Sequence, residues 1–136
     1  MHTLQTLNMA ISQERPKRKI TGSKYKSLRK KKQFWLGRDP TSTKLGEKKI
    51  KQVRMMAGKQ KKITLSNNIV NIIDPKTKKS KKVKITNVLE NVANRHFVRR
   101  NILTKGTIVE TELGKAKITN RPGQEATLNA ILIDKK

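Results

Sequence analysis

The sequence predicts a mainly β protein, in which a small β-barrel-like domain follows a long, basic, extended N-terminal arm. Three observations lead to this prediction: basic residues are concentrated in the first half of the chain, apolar residues are concentrated in the second half, and the apolar runs of the second half are short and separated by Gly, Pro and Asn. Short runs that alternate at period two between regular turn signals are typical of small barrels and sandwiches.

Charge and apolar content divide the chain into unequal parts. Residues 14–62 contain 19 lysines and arginines, 3 acidic residues and 12 apolar residues, whereas residues 63–136 contain 15 basic, 6 acidic and 27 apolar residues. Only the second part can bury a core, because apolar burial must offset the entropy lost when a chain is ordered. We therefore predict three segments, namely a tail at 1–13, a basic arm at 14–47 and a barrel-like domain at 48–136.

The strands of the predicted domain follow from apolar period and turn signals. Residues 48–56 and 61–65 are expected to pair as a hairpin and so join the sheet. Val83 and Ile85 alternate with lysines, which indicates a half-buried strand with a basic outer face. The further strand predictions, in chain order, are residues 69–73, 97–103, 107–111, 115–119 and 126–133, with a helical turn within 89–96 and turns at 74–75, 112–114 and 121–123.

The charge balance points to a polyanionic partner. The 136 residues carry a formal net charge of +25, which destabilises a compact monomer through self-repulsion. Binding to nucleic acid relieves that repulsion and releases condensed counterions, so a strongly basic chain is the first indication of a nucleic-acid-binding protein. There is no cysteine and no apolar run near the ~20 residues that span a bilayer, so we expect a cytoplasmic location and no membrane partner.

The densest basic run is 29–32, and other cations precede it. This run could bind phosphates, or it could be a solvated, disordered tail. The near absence of acidic residues around it favours phosphate binding. A second cluster lies at 95–100. The residues predicted to bind RNA are Arg15, Lys17, Arg18, Lys19, Lys24, Lys26, Arg29, Lys30, Lys31, Lys32, Trp35, Arg38, Lys48, Lys49, Lys51, Arg54, Lys59, Lys61, Lys62, Arg95, His96, Arg99, Arg100 and Lys105.

Three of the four aromatic residues, Tyr25, Phe34 and Trp35, lie in the predicted arm. They could stack on bases, or Phe34 and Trp35 could anchor the arm on the domain, which we favour. His96 is expected to contact ribose or phosphate. The lysine-rich loop 76–82 is predicted to be a hairpin tip, for which RNA contact and plain solvation are equally supported.

Signatures of catalysis are missing from the sequence. Gly58-Lys59-Gln60 lacks the hydroxyl residue and upstream glycine of a phosphate-binding loop. Glu110 and Glu112 share one face of a strand, where they are expected to relieve basic crowding rather than to do acid–base work. We predict no catalytic residue, metal, cofactor or small-molecule substrate, and therefore no enzymatic activity.

Residues 87–106, which read NVLENVANRHFVRRNILTKG, resemble the archaeal and eukaryotic small-subunit ribosomal protein family called eight-e, and are closest to its archaeal type. Val92 departs from the family, which often has proline there, and a Gly-Gly pair is frequent where this chain has Ala57-Gly58. We expect Met9 to be the natural start, since residues 9–13 resemble the family's usual beginning. The resemblance covers residues 10–134, and its other segments are 108–114, 119–124, 128–133, 19–23, 29–32 and 36–38.

The resemblance implies a β-barrel-like domain with a basic extension, bound to small-subunit ribosomal RNA beside neighbouring small-subunit proteins. The expected function is structural: binding and stabilising folded RNA by charge neutralisation and shape recognition. Arginines are suited to bidentate phosphate contacts. Two alternatives stay open, a ribosome-assembly factor of the same superfamily and an architectural DNA-binding protein.

Overall fold

The computed structural model of the protein describes residues 11–12, 15–26 and 32–133. The chain forms two compact units, of which the first ends at Pro40 and the second begins at Thr41. The predicted binding residues Arg29, Lys30 and Lys31 lie outside the described residues. The predicted segment boundaries and natural start remain predictions.

The first unit is built on short backbone pairings. Strand β1 (Ile11–Ser12) pairs antiparallel with β2 (Leu36–Gly37), which follows a 3-10 turn at Gln33–Trp35. Between them, Arg18 and Lys24 face each other across a narrow turn. The N–H of Gly22 donates to the carbonyl of Lys19 at 3.0 Å, and Gly22 adopts a φ of 84°, which glycine adopts without steric cost.

The second unit contains a two-stranded hairpin and a closed barrel. The hairpin pairs β3 (Lys49–Arg54) with β4 (Gln60–Ser66) in antiparallel fashion. The barrel strands follow in the order β5-β6-β7-β8-β9, and β9 closes the barrel by pairing parallel with β5. A one-turn helix, α1 (His96–Arg99), lies between β6 and β7. The barrel strands are β5 (Ile69–Ile73), β6 (Ser80–Glu90), β7 (Ile108–Thr111), β8 (Gly114–Ile118) and β9 (Asn129–Leu132).

The barrel encloses an aliphatic core. Alternate residues of each strand point inward, and β-branched residues predominate because they fit a pleated, buried surface. Leu45 and Leu132 pack against the core from its margin. The core residues are Val70, Ile72, Val83, Ile85, Val88, Leu103, Val109, Ala116, Ile118, Leu128 and Ala130. These observations confirm the predicted mainly β, barrel-like fold.

The prediction that the hairpin would join the sheet is wrong. Its pairing is confirmed, but β3 and β4 form a sheet of their own. Both edges of β5 are already taken, by β6 on one side and β9 on the other. Because a closed barrel offers no free edge, β4 cannot add to it.

Two predictions between β6 and β7 are also wrong. Residues 97–103 do not form a strand. The helical turn is not contained in the predicted range 89–96, because β6 runs to Glu90 and the turn, His96–Arg99, shares only His96 with that range. The side chain of Asn94 accepts the N–H of His96 at 2.9 Å, and Asn101 adopts a φ of 51°. Local asparagine hydrogen bonds of this kind compete with an extended ladder.

The last strand is shorter than predicted, beginning at Asn129 instead of residue 126. The Asn120 side chain donates to the Thr127 carbonyl at 2.6 Å and accepts the N–H of Asn129 at 3.0 Å, so it holds the preceding residues away from the ladder. The predicted strand at 69–73, the strand around Val83 and Ile85, and the β7–β8 hairpin are confirmed.

Candidate nucleic-acid interface

Two cations surround an aromatic ring in the first unit. The Arg15 guanidinium carbon lies 4.3 Å from the centroid of the Tyr25 ring, and the Lys19 Nζ lies 5.7 Å from it. Both distances fall within the range of a cation–π interaction. Arg15 also donates from Nη2 to the carbonyl of Lys26 at 3.0 Å. Tyr25 is thus ordered beside positive charge while 40% of its surface stays exposed.

The other cations of this turn are also exposed. Arg18 donates from Nη1 to the Gly22 carbonyl at 2.7 Å, which fixes the stem of its side chain across the turn. Lys17, Lys24 and Lys26 are exposed. The narrow turn therefore presents a cluster of cations around one aromatic ring, the combination that phosphates and unstacked bases bind.

A second aromatic pair lies at the 3-10 turn. The Phe34 and Trp35 ring centroids are 4.8 Å apart, with an edge-to-face angle of 68°. Lys32 Nζ lies 5.9 Å from the Phe34 ring, and Arg38 is exposed just beyond β2. Phe34 remains 74% exposed. Whether this pair anchors the predicted arm on the domain stays a prediction.

In the second unit, the β3–β4 hairpin carries seven of the predicted residues. Lys51 faces Ile63 and Lys61 faces Val53, which places both lysines on one side of the ribbon. Arg54 and Lys62 lie on the other side. Lys48 precedes β3, Lys49 begins it and Lys59 closes the turn. The hairpin is therefore positively charged on both sides, and five of the six residues of β3 are exposed.

The hairpin is attached to the domain at its base. Ile63 and Thr64 are buried there. The Thr64 hydroxyl donates to the carbonyl of Glu125 at 2.8 Å and its N–H donates to the Pro122 carbonyl at 3.2 Å. Lys61 donates to the side-chain oxygen of Gln124. The tip, in contrast, exposes Met56 at 91% and turns through Ala57 at a φ of 58°.

The second basic cluster is carried by α1 and its flanks. Arg95 precedes the helical turn, Arg99 ends it and Arg100 follows it. These arginines and His96 are exposed, whereas Phe97 and Val98 are half-buried and hold the turn against the domain. Lys105 is exposed in the turn that leads to β7.

A buried polar network closes the base of this arginine-bearing loop. Asn91, 5% exposed, donates to the carbonyl of Ile102 at 3.4 Å and to the hydroxyl of Thr104 at 3.1 Å. Its side-chain oxygen accepts the N–H of Ala93 at 3.0 Å. The Thr104 and Thr107 hydroxyl oxygens are 3.1 Å apart. This network fixes residues 91–104 as one loop.

One short backbone segment ties the hairpin to this loop. Lys44 donates its N–H to the Leu65 carbonyl at 3.0 Å, and the neighbouring Leu45 donates its N–H to the Asn101 carbonyl at 2.9 Å. The Leu103 N–H donates to the Thr43 carbonyl at 2.8 Å. The base of the hairpin and the base of the loop thus lie on opposite sides of residues 43–45.

Lys44 was not among the predicted residues, yet its side chain is exposed and its backbone bridges Ser66 of the hairpin and Ile102 of the loop. Thr43 is buried and Leu45 packs at the core margin. The alternation of Thr43, Lys44 and Leu45 signalled a short strand with an outward lysine, but it is too short to distinguish from a random pattern.

The lysine-rich hairpin tip between β5 and β6 has a separate organisation. Asp74 accepts the N–H of Lys76 at 3.0 Å and the hydroxyl of Thr77 at 2.9 Å, and these two hydrogen bonds lower the pKa of Asp74 below its ordinary value of 3.8. The ionised carboxylate therefore shapes the turn. The predicted hairpin tip is confirmed, while its role remains open.

The described residues offer neither a cluster of metal ligands nor a membrane-spanning helix. Within 11–12, 15–26 and 32–133, no group of three or more His, Cys, Asp and Glu side chains is placed to hold a metal ion. Over the same described stretches, no helix is long and apolar enough to cross a membrane.

Comparison with known proteins gives a consistent result. The family model described as Ribosomal protein S8e matches residues 12–133. Small ribosomal subunit protein eS8 of Methanococcus aeolicus is 51% identical over 127 residues, which cover 93% of this chain and 99% of that protein. The protein of the same name from Methanocella arvoryzae is 51% identical over 116 residues, covering 85% and 93%. That of Sulfolobus acidocaldarius is 46% identical over 126 residues, covering 92% and 98%.

Proposed function

This chain belongs to the ribosomal protein S8e family, and we propose that it binds folded small-subunit ribosomal RNA and stabilises it by charge neutralisation and shape recognition. Membership confirms the resemblance noted in the sequence and the assignment to archaeal small-subunit ribosomal proteins. The chain's relatives are named as proteins of the small ribosomal subunit, and we place this chain in the cytoplasmic ribosome as a structural, non-enzymatic component of translation. The RNA contacts and their mechanism are the proposal.

The observation that supports this proposal most directly is the shared backbone segment at residues 43–45. It hydrogen-bonds to the base of the β3–β4 hairpin and to the arginine-bearing loop, so the fold holds two basic elements side by side. A rigid pair of this kind matches a folded RNA better than it matches a single strand, because the spacing of phosphates across a groove or junction is set by RNA shape.

The two elements have different roles in the proposal. The hairpin presents lysines on both of its sides and is suited to enter a cleft between RNA helices, where phosphates lie on either side. The arginines around α1 have planar guanidinium groups that can bind phosphate oxygens in pairs or stack on bases. Hairpin lysines therefore provide diffuse attraction, while the loop arginines provide orientation. Lys44 adds a cation between the two elements.

The first unit contributes a cation–aromatic cluster. Arg15 and Lys19 beside the Tyr25 ring offer charge for phosphate and a π-face for a base. The predicted cations of this unit, including those outside the described residues, are part of the proposed interface. Their contribution is electrostatic and should weaken as salt concentration rises.

The test is competition binding with purified protein. A folded transcript of small-subunit ribosomal RNA from an archaeal relative should bind with nanomolar affinity and with a steep salt dependence, whereas duplex DNA of equal length should bind more weakly at 200 mM salt or above. Equal affinity for both would favour an architectural DNA-binding protein. In a sucrose gradient of lysate, co-migration with mature small subunits is expected; migration with precursor particles alone would favour an assembly factor.

A further inference from the structure

The outer surface of β5 and β9 carries an unusual set of side chains for so basic a protein. Ile69, Ile73, Ile131 and Ile133 are 41, 46, 42 and 37% exposed. Ile69 and Ile73 belong to β5, and Ile131 and Ile133 belong to β9 and its immediate continuation. Because side chains two residues apart point to the same side of a strand, each pair lies on one side of its strand. We call the surface formed by these four residues the isoleucine face.

The register of the barrel brings these side chains together. Ile73 is the cross-strand partner of Ile131 in the parallel β5–β9 pair. Asn71 is the partner of Asn129, and its amide nitrogen donates to the Asn129 side-chain oxygen at 3.1 Å. The two asparagines therefore satisfy part of each other's hydrogen-bonding capacity. The result is an apolar surface in which this amide pair separates Ile69 from the other three isoleucines.

Lysines border the isoleucine face on both sides. On β6, Lys84 lies opposite Ile69 and Lys82 lies opposite Asn71. On β8, Lys117 lies opposite Ile131, and Lys115 accepts the N–H of Ile133 through its carbonyl at 2.8 Å. All four lysines are exposed. The two lysine rows are three strand spacings apart, roughly 14 Å along the sheet.

Acidic residues are missing from this surface. The face and its two lysine rows contain no Asp or Glu among the described residues, and the nearest carboxylate in register is Glu110 of β7, opposite Lys115 on the side away from the isoleucines. Asp74, just beyond β5, is hydrogen-bonded within its own turn. The face therefore combines an apolar centre with a positive border.

We propose that the isoleucine face is a docking surface for an acidic, amphipathic segment of a neighbouring protein in the small subunit. The proposal rests on the function proposed above, because the partner is placed in the same particle. A segment with apolar side chains at its centre and carboxylates along its edges complements the face in both respects. The isoleucines lie on two adjacent strands roughly 5 Å apart, so one helix, whose diameter with side chains is about 10–12 Å, can cover both.

RNA fits this surface less well than protein does. A phosphate backbone gains nothing from burying four isoleucines, and the cations of this face are all lysines. The described arginines of the second unit lie elsewhere, at Arg54 in the hairpin, at 95, 99 and 100 around α1, and at 121 in the loop that supports the hairpin. A second copy of the chain is also a poor occupant, since each copy carries a net charge of +25.

The test measures two properties of the same variants, retention on small subunits and affinity for the ribosomal RNA transcript. The Ile73→Ser/Ile131→Ser double variant should leave the particle about tenfold faster in a salt wash, because apolar contact area is lost, while its affinity for the transcript stays within about twofold of the wild type. Leu89→Ser, a change at a side chain 36% exposed on β6, is the matched control and should alter neither property.

Cross-linking provides a second measurement that does not depend on the serine variants folding. A photoreactive phenylalanine analogue in place of Ile131 should cross-link, in purified small subunits, to a protein segment in which Asp or Glu residues flank apolar ones. The same analogue in place of Val92, which is 78% exposed in the arginine-bearing loop beyond the end of β6, should not reach that segment. Replacing Lys82 and Lys117 by Glu should reduce the cross-link, and replacing them by Arg should preserve it.

Three outcomes would overturn the proposal. They are a cross-link from position 131 to RNA, a yield from position 131 no higher than that from position 92, and an equal loss of transcript affinity and particle retention in the isoleucine double variant. The first two outcomes leave the proposed RNA-binding function intact. A wild-type chain that neither binds the transcript nor stays on the particle would overturn both proposals together.

Discussion

The β3–β4 and β5–β6 hairpins are both antiparallel and rich in lysine, but they differ in how many residues of their strands are buried. In β6, buried residues recur along the strand, with Val83, Ile85 and Val88 inside the barrel. In β3, five of six residues are exposed and one is partly exposed. The first hairpin is held by its base alone, whereas the second is part of the core.

This difference separates stability from function within one domain. The barrel has enough apolar burial to fix its own conformation. The β3–β4 hairpin concentrates seven predicted binding cations on a ribbon with little core of its own, so its composition is better explained by a partner than by folding. Four predictions test this division, beginning with the largest expected effect.

Replacing a core residue should damage stability. Ile72 is 2% exposed, and Ile72→Ala should lower the free energy of unfolding by about 2–5 kcal/mol, since it loses buried methyl groups and leaves a cavity. Chemical denaturation measures this change. Ile50→Ala, in the exposed hairpin strand, is the control and should cost less than about 0.5 kcal/mol. Equal losses at the two positions would show that the hairpin is part of the stable core.

Removing the hairpin cations should damage RNA binding instead. The variant with Lys51, Arg54, Lys61 and Lys62 changed to Ala should bind the ribosomal RNA transcript roughly 100-fold more weakly, or about 2.7 kcal/mol. Its salt dependence should flatten by about one unit of slope for each lost phosphate contact. Titration at several salt concentrations measures both quantities.

The control for that variant removes the same charge from the barrel. Changing Lys82, Lys84, Lys115 and Lys117 to Ala takes away four positive charges beside the isoleucine face. This control should retain most of the transcript affinity, because the removed cations lie outside the proposed RNA contact. If both quadruple variants lose affinity equally, RNA binding depends on net charge alone, and the assignment of RNA binding to the hairpin and of stability to the barrel is wrong.

The buried polar network at the base of the arginine-bearing loop should affect both the stability of the protein and its binding to RNA. Asn91→Ala removes the partner of several buried polar groups and should lower the free energy of unfolding by about 2 kcal/mol. It should also weaken transcript binding, because the arginines lose their fixed orientation. Asn94→Ala, which removes one exposed hydrogen-bond acceptor, should cost about 1 kcal/mol or less. A stability loss at Asn91 without any change in binding would exclude a role for loop orientation.

The smallest expected effect is at the hairpin tip. Ala57 adopts a φ of 58°, which costs a residue with a Cβ about 1–2 kcal/mol and costs glycine little. Ala57→Gly should therefore stabilise the protein by about 0.5–1 kcal/mol, after the added flexibility of the unfolded chain is counted. Ala93→Gly is the control and should destabilise, since Ala93 is not among the residues with positive φ. Thermal unfolding of the two variants gives the comparison, and destabilisation by both would contradict the assigned strain.

Several features of the fold could be predicted from neighbouring residues alone. The alternation around Val83 and Ile85 determines which side of β6 is buried, and the Glu112-Leu113-Gly114 sequence determines a hairpin between β7 and β8. The excess of lysine and arginine indicates a polyanionic partner. These signals are local, because strand period and turn chemistry depend on residues within a few positions.

The tertiary structure decided what depends on distant residues. Residues 97–103 read as a strand, yet Asn91 and Asn94 hold that segment as a clamped loop with a helical turn. The hairpin stays outside the sheet because β9 returns from the end of the chain to occupy the remaining edge of β5. The juxtaposition of Ile73 with Ile131, and of Lys44 with both basic elements, likewise arises only when strands far apart in sequence are paired, since register between distant strands is set by the closed barrel and not by local composition.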